Sequence, residues 1–139
     1  MNIRQIAFSV FVLLSALPVS AQQFGRNKPS YESFDFQRYQ SPNFELYTYI
    51  DNQQWLIDFL NDAEEWYTVH QFLLQDSIAF RNPLIIYGNH PDFQQTNTIS
   101  GAIGIGTGGV TEAFKNRVIM PVAMTGPQTH HALGHELVH

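Results

Sequence analysis

The spacing of apolar residues changes from one segment of the chain to the next, and each spacing predicts an element. Residues 34–38 alternate between aromatic and polar side chains, and residues 44–50 are rich in the aromatic and β-branched types that favour strands. Residues 40–43 between them have turn-forming side chains. The pattern predicts a hairpin or two successive strands.

A long amphipathic helix is predicted next. Asp51 is suited to cap its start, with Gln54 reaching back as in a capping box. Apolar side chains then recur every three or four positions, which predicts a helix packed on a sheet. His70 lies on this apolar stripe, and we interpret it as a hydrogen-bonded core or boundary histidine, not as a metal ligand. The stripe consists of Leu56, Phe59, Leu60, Ala63, Trp66, Tyr67, His70, Leu73 and Leu74.

The second half of the chain predicts more strands and two further helices. Residues 83–88 form a short apolar run bounded by Pro and Gly, typical of a buried strand, which completes a βαβ-like unit. Pro91 can begin one helical turn, with His90 as a cap or loop residue. Residues 110–114 and 118–122, joined by a turn, predict a hairpin that flanks the last helix. This order of elements predicts an α+β fold with a mixed sheet.

Residues 100–109 contain five glycines, and residues 104–109 satisfy the spacing G-x-G-x-x-G. A dinucleotide site needs a helix to begin after the glycines, with an acidic residue about twenty positions further on. Here a β-type stretch follows, so we reject that interpretation and give small-ligand binding little weight. A flexible lip over a cleft and a plain surface loop remain equally compatible with this segment.

The N-terminal residues indicate an exported protein. The apolar run 6–17 is too short to span a bilayer, and the small residues before position 22 suit signal peptidase, so we expect cleavage between Ala21 and Gln22. We therefore divide the chain into a signal peptide (1–21), an irregular arm (22–33) and one partial domain (34–139). The expected location is the periplasm, the outer-membrane surface or the extracellular space.

Composition limits the chemistry. The chain is 44% hydrophobic and 14% charged, in the range of one small globular domain. It has no cysteine, so a zinc site must use histidine and carboxylate ligands. The net charge of −5 and the lack of a Lys/Arg cluster argue against a nucleic-acid partner. We also expect no transmembrane segment after signal cleavage.

The chain carries the motif H-E-x-x-H on its predicted last helix. Gly126 and Pro127 mark the helix start, and no later proline stops it before the end of the sequence. His135 and His139 are one turn apart and differ by about 40° around the helix axis, so both rings can reach one zinc ion. Glu136, beside them, can take a proton from zinc-bound water and deliver it to the leaving amine.

Other residues near the motif have plainer interpretations. His131 lies on the same face as His135, but three successive turns extend too far for three rings to reach one ion. We interpret His130 and His131 as helix-start or supporting residues. Glycine in a helix interior is less favourable than alanine by about 1 kcal/mol, so the presence of Gly134 suggests that another backbone approaches there. The third zinc ligand, usually a carboxylate on a following helix, is expected beyond residue 139.

With these residues in view, the chain resembles the peptidase MA-like gluzincin domain of exported bacterial proteins that continue into a TolB-like β-propeller. The resemblance covers nearly all of the part after the signal peptide. The chain thus looks like an N-terminal fragment of such a protein. The segments that carry the resemblance are FGRNK (24–28), NHPDFQQTN (89–97), GTGGVTEA (106–113) and GHELVH (134–139).

The resemblance implies a thermolysin-like half-domain that hydrolyses peptide bonds, with zinc on His135 and His139 and with Glu136 as general base. It also implies that one strand pairs with the substrate backbone by strand addition, and that a glutamate ligand on the next helix and a propeller follow. The 139 residues alone would then be inactive. The alternative is a non-catalytic envelope module that supports a propeller binding protein partners. The substrate-pairing residues would be Val110, Thr111, Glu112, Ala113 and Phe114.

Overall fold

The computed structural model describes residues 28–139. The predicted signal peptide and the first part of the predicted arm lie outside the described residues. The described part is an α+β fold with one five-stranded mixed sheet and three helices, which confirms the predicted fold class. The strands are β1 (Gln37–Gln40), β2 (Phe44–Thr48), β3 (Asn82–Tyr87), β4 (Val110–Glu112) and β5 (Arg117–Pro121), and the helices are α1 (Gln53–Leu74), α2 (His90–Phe93) and α3 (Gly126–Glu136).

The sheet has the spatial order β1-β2-β3-β5-β4. β1 and β2 form an antiparallel hairpin, one of the two predicted alternatives, although residues 34–36, which were predicted as strand, lie outside β1. β2 continues through α1 into the parallel strand β3, which confirms the βαβ unit. β3 is also parallel to β5, and β4 is antiparallel to β5. The predicted second hairpin therefore forms as well. β4 lies at one edge of the sheet, and one of its sides is not paired with another described strand.

α1 begins and ends differently from the prediction. Its N-cap is Asn52, whose side chain accepts a hydrogen bond from the backbone N–H of Trp55 at 3.0 Å, so the predicted cap Asp51 is wrong. Gln54 does not reach back to form a capping box, because its amide donates forward to Asp58. The helix ends at Leu74, and its C-cap Gln75 adopts a left-handed conformation with φ of 55°. The predicted stripe is buried only in its first part, since Leu73 and Leu74 at the helix end are exposed.

The main core lies between the sheet and the helices α1 and α3. Alternate residues of β2 and β3 are buried because successive side chains of a strand point to opposite faces. The core residues are Phe44, Leu46, Leu56, Phe59, Ala63, Leu84, Ile86, Val118, Met120 and Leu133. On the opposite face, a smaller cluster of Phe93, Ile103 and Ile119 packs α2 and the glycine-rich segment against the sheet. Of the helices in residues 28–139, none has the length and apolarity needed to cross a bilayer.

β4 is shorter than predicted. It ends at Glu112, and residues Ala113–Lys115 form a 3₁₀ turn that leads to Asn116 in a left-handed conformation with φ of 48°. Asparagine tolerates this conformation better than most residues. Ala113 and Phe114, predicted as strand residues, therefore belong to the turn, and Phe114 is fully exposed.

Two residues of the segment that follows α2 hold the described end of the N-terminal arm. The side-chain oxygen of Gln95 accepts hydrogen bonds from the backbone N–H groups of Tyr31 and Glu32 at 2.7 and 3.1 Å. Asn97 accepts one from the backbone N–H of Lys28 at 2.7 Å. The arm is thus attached beside the sheet although residues 28–36 form no strand or helix.

Candidate metal centre

The start of the motif helix is fixed by its cap. Thr125 accepts a hydrogen bond from the backbone N–H of Gln128, and Pro127 occupies the first turn, where its missing N–H would have had no partner. Thr129 then ties this end to the preceding loop, because its hydroxyl accepts from the backbone N–H of Ala123 at 3.0 Å and lies 3.2 Å from the carbonyl of Thr125. The predicted helix start is confirmed.

The end of the motif helix tightens before the second histidine. The regular helix ends at Glu136, and the backbone N–H groups of Val138 and His139 bond three residues back, to His135 and Glu136, at 3.3 Å each. Such i to i+3 bonds are common at helix ends, where the last carbonyls lack regular partners. The prediction that His139 lies within the α-helix is therefore wrong in detail, since His139 lies on a final tightened turn.

His135 and His139 converge despite this tightened turn. Their Nε2 atoms are 3.4 Å apart and their rings are 80° from coplanar, with centroids 5.0 Å apart. Two nitrogens that each lie about 2.05 Å from one tetrahedral zinc ion are about 3.3 Å apart. A hydrogen bond between ring nitrogens at 3.4 Å would be long. Both side chains are exposed, so an ion could reach them, and the pair fits two ligand positions of a zinc site.

Glu136, unlike the two histidines, is buried, with 8% of its surface exposed. Its Oε2 atom lies 2.9 Å from the hydroxyl of Thr111, and its backbone carbonyl oxygen lies 2.8 Å from the same hydroxyl. Its Cγ atom rests against Gly109, where an added Cβ would come within 2.8 Å. The general-base candidate is therefore held between α3 and the edge strand β4.

Gly134 lies against a side chain and not against a backbone. A Cβ at this position would come within 2.7 Å of Cδ2 and Cζ2 of Trp66 on α1, so the approach predicted here is made by an indole ring. The indole N–H donates to the backbone carbonyl of His130 at 3.1 Å. Trp66 thereby connects α1 to α3 directly beside the motif. His131 is exposed, which fits its interpretation as a residue outside the site.

Two other histidines, His70 and His90, make contacts outside the motif pair. His70 stacks on Trp66 with ring centroids 5.3 Å apart, but its Nδ1 is buried without a hydrogen-bond partner, so the expectation of a hydrogen-bonded histidine is wrong for that atom. Burial lowers the pKa of His70. The Nε2 atom of His90 lies 3.0 Å from the carbonyl oxygen of Gly104. His90 therefore holds the glycine-rich segment, and the cap of α2 is Asn89.

The predicted substrate-pairing residues divide into two groups. Val110, Thr111 and Glu112 lie on the edge strand, as expected for strand addition, whereas Ala113 and Phe114 lie on the turn beyond it. Glu112 forms ion pairs with Lys115 and Arg117. Burial alone would raise the pKa of Glu112, but the hydrogen bonds from these two cations outweigh it and lower that pKa.

The glycine-rich segment approaches α3 just before β4. A Cβ at Gly108 would lie 3.3 Å from Ala132, and one at Gly109 would collide with Glu136. Farther along α3, a cleft of about 240 Å³ opens beside His139 and is also lined by Tyr67, His70 and Val138. The motif is thus bordered on one side by the glycine-rich segment and on the other by an open cleft.

The sequence alone predicts His135, Glu136 and His139 as site residues, but it does not predict that two further residues, Thr111 and Trp66, contact the motif. It assigned Thr111 to substrate pairing and did not connect its hydroxyl to Glu136, although strand alternation puts Thr111 on the face opposite Val110. It also did not pair Trp66 with Gly134, although a large ring opposite a glycine is a common match of volumes.

Within residues 28–139, no group of three or more His, Asp or Glu side chains lies close enough together to hold a metal ion. The two histidines of the motif are two candidate ligands, and residues 28–139 place no third beside them. No family model matches the chain, and neither a curated protein nor a solved structure matches it significantly. The activity of the site is therefore inferred from its residues and their geometry.

Proposed function

We propose that this chain forms part of a zinc-dependent metallopeptidase of the exported, thermolysin-like gluzincin type. The observation that carries the proposal is the 3.4 Å separation of the Nε2 atoms of His135 and His139, which suits two ligands of one tetrahedral zinc ion. Two neutral imidazoles are also the donor type that zinc favours in a chain without cysteine.

Three residues have distinct roles in this proposal. His135 and His139 hold the ion, which when bound polarises the scissile carbonyl and makes water acidic enough to lose a proton near neutral pH. Glu136 takes that proton as the water oxygen attacks the carbonyl carbon. It then gives the proton to the departing amine nitrogen as the C–N bond breaks. The burial of Glu136 supports this role because a carboxylate with few alternative positions stays aligned with its substrate.

The edge strand β4 is the proposed substrate platform. A peptide can add to Val110–Glu112 through backbone hydrogen bonds, since the side of β4 away from β5 is not paired within the described sheet. The contact between Thr111 and Glu136 supports this arrangement because it connects the platform to the catalytic carboxylate. Ala113 and Phe114, on the turn, would contact a peptide only through their side chains.

The third ligand and the cellular setting are also proposals. We propose a glutamate from a further helix as the third ligand, and a TolB-like propeller as a companion domain that contributes protein partners. The sequence of residues 1–21 supports export to the periplasm or beyond. A peptidase-like module without catalysis is the competing function that the following experiment distinguishes.

The test uses the full-length gene product and compares the parent with Glu136→Gln. We expect equal zinc content in the two proteins and a fall in peptide hydrolysis of at least about 100-fold in the variant, because a general base contributes about 10²–10⁴-fold. Glu65→Gln is the matched control, since Glu65 is an exposed residue of α1. A variant as active as the parent, or a parent that binds no zinc, would refute the peptidase and favour the non-catalytic module.

A further inference from the structure

One hydroxyl group faces two oxygens of the same glutamate. The Thr111 Oγ1 atom lies 2.9 Å from Oε2 of Glu136 and 2.8 Å from the backbone carbonyl oxygen of Glu136. A threonine hydroxyl has a single proton, so it donates to one of these oxygens at a time. A carboxylate oxygen accepts a stronger hydrogen bond than a peptide carbonyl, so Oε2 is the favoured acceptor. Among residues 28–139, Thr111 is the hydrogen-bond donor to the Glu136 carboxylate.

The remaining freedom of the Glu136 side chain is restricted by packing. Gly109 leaves room for Cγ and Cδ, since a Cβ there would come within 2.8 and 3.1 Å of them and within 3.0 Å of Met120 Cβ. The second carboxylate oxygen, Oε1, accepts no hydrogen bond from the described residues, and it is not one of the atoms buried without a partner. One oxygen is thus held at the strand, and the other is accessible.

From this geometry we propose that Thr111 is a positioning residue for Glu136. Its hydroxyl fixes Oε2 to β4 and leaves Oε1 as the oxygen that handles the proton. The inference rests on the proposed peptidase function for its kinetic consequence. Its structural content, the orientation of the Glu136 carboxylate by Thr111, does not depend on zinc.

The contact also couples the substrate platform to the general base. The backbone of Thr111 pairs with Val118 of β5, and its side chain reaches α3. Any shift of β4 along or away from the sheet therefore moves the carboxylate. Misplacement of a catalytic group by about 1 Å can lower a rate by about 100-fold. The strand that would bind peptide is thus also the strand that sets the position of Glu136.

The test replaces the hydroxyl without changing the shape of the side chain. Thr111→Val is nearly isosteric and keeps the β-branched form that strands favour. Thr111→Ser restores the hydroxyl. Thr129→Val is the matched control, because it removes a threonine hydroxyl that is also bonded to the backbone around α3 but at the other end of the helix. Each variant is made in the full-length protein, and kcat, KM, zinc content and thermal unfolding are measured.

We expect Thr111→Val to lower kcat by about 10- to 100-fold with KM and zinc content close to those of the parent. Thr111→Ser should recover most of kcat. Thr129→Val should lower the unfolding temperature without lowering kcat. A parent-like kcat in Thr111→Val, an equal loss of kcat in Thr129→Val, or no recovery in Thr111→Ser would overturn the proposal.

Crystal structures of the zinc-free parent, Thr111→Val and Thr111→Ser provide a readout that is independent of activity. The Glu136 carboxylate should keep one position in the parent and in Thr111→Ser, and should move or split into several positions in Thr111→Val. An unchanged carboxylate in Thr111→Val refutes the positioning role. If Glu136→Gln is fully active but the carboxylate still moves in Thr111→Val, the peptidase function fails and the positioning role stands.

Discussion

Replacing Gly134 by alanine sets two effects of opposite sign against each other. In an open helix interior, alanine is favoured over glycine by about 1 kcal/mol. Here the new Cβ would lie 2.7 Å from Cδ2 and Cζ2 of Trp66, whereas carbon atoms in contact are normally about 3.5–4.0 Å apart. The indole must therefore shift by roughly 1 Å, and such overpacking typically costs about 1–3 kcal/mol.

The shift also strains a hydrogen bond. The Trp66 indole N–H donates to the carbonyl of His130 at 3.1 Å, and a typical bond of this kind contributes about 1 kcal/mol. The overpacking and the weakened bond together exceed the gain in helix propensity, so we expect Gly134→Ala to lower the free energy of unfolding by about 1–3 kcal/mol. For a domain of about 100 residues, each kcal/mol corresponds to a fall in Tm of roughly 4–8 °C.

The measurement is urea unfolding followed by tryptophan fluorescence, with thermal unfolding as a second probe. Gly126→Ala is the control, because a Cβ at this first residue of α3 meets nothing within 4 Å. In a Trp66→Phe background, where the ring is smaller, Gly134→Ala should cost less, and a double-mutant cycle measures the difference. A Gly134→Ala protein as stable as the parent, or more stable, would refute the packing explanation.

Two further predictions concern pH. Burial lowers the pKa of His70 below 6.5, because the charged form is disfavoured in the fold, so the protein becomes less stable as the pH falls below 6.5. His70→Phe removes a buried nitrogen without a partner and can still stack on Trp66. It should raise the free energy of unfolding by about 1 kcal/mol near pH 8 and by more near pH 5. A gain that does not grow in acid, measured by urea unfolding, would contradict this. Burial alone would raise the pKa of Glu64, but hydrogen bonds from Ser41 and Asn43 outweigh it and hold that pKa below 4.5. These hydrogen bonds therefore stabilise the fold above pH 4.5, and this stabilisation is lost as the pH falls below it. Glu64→Gln should therefore be less stable than the parent by about 1 kcal/mol at neutral pH and equally stable near pH 3, and a difference that persists in acid would exclude the ionised carboxylate as its source.

The fold class could be predicted because hydrophobic spacing is a local property of the chain. Alternation in residues 44–50 and the three- and four-residue spacing after residue 56 each identify an element from its neighbours alone. Element ends were less accurate. The structure has Asn52, not the predicted Asp51, as the cap of α1, and β4 ends at Glu112, before the predicted Phe114. Caps and turns are decided by single hydrogen bonds that several adjacent residues could make.

For the candidate site, the sequence alone determined the residue types and their spacing along one helix. His135 and His139 at i and i+4, with Glu136 beside them, follow from helix geometry, which needs no information from distant segments. Tertiary structure alone decided what surrounds them. Gly109, Thr111 and Trp66 lie far from the motif in sequence, and they meet α3 only because β4 and α1 pack against it. Contacts between distant segments depend on how complete elements pack, and no local pattern of residues encodes that packing.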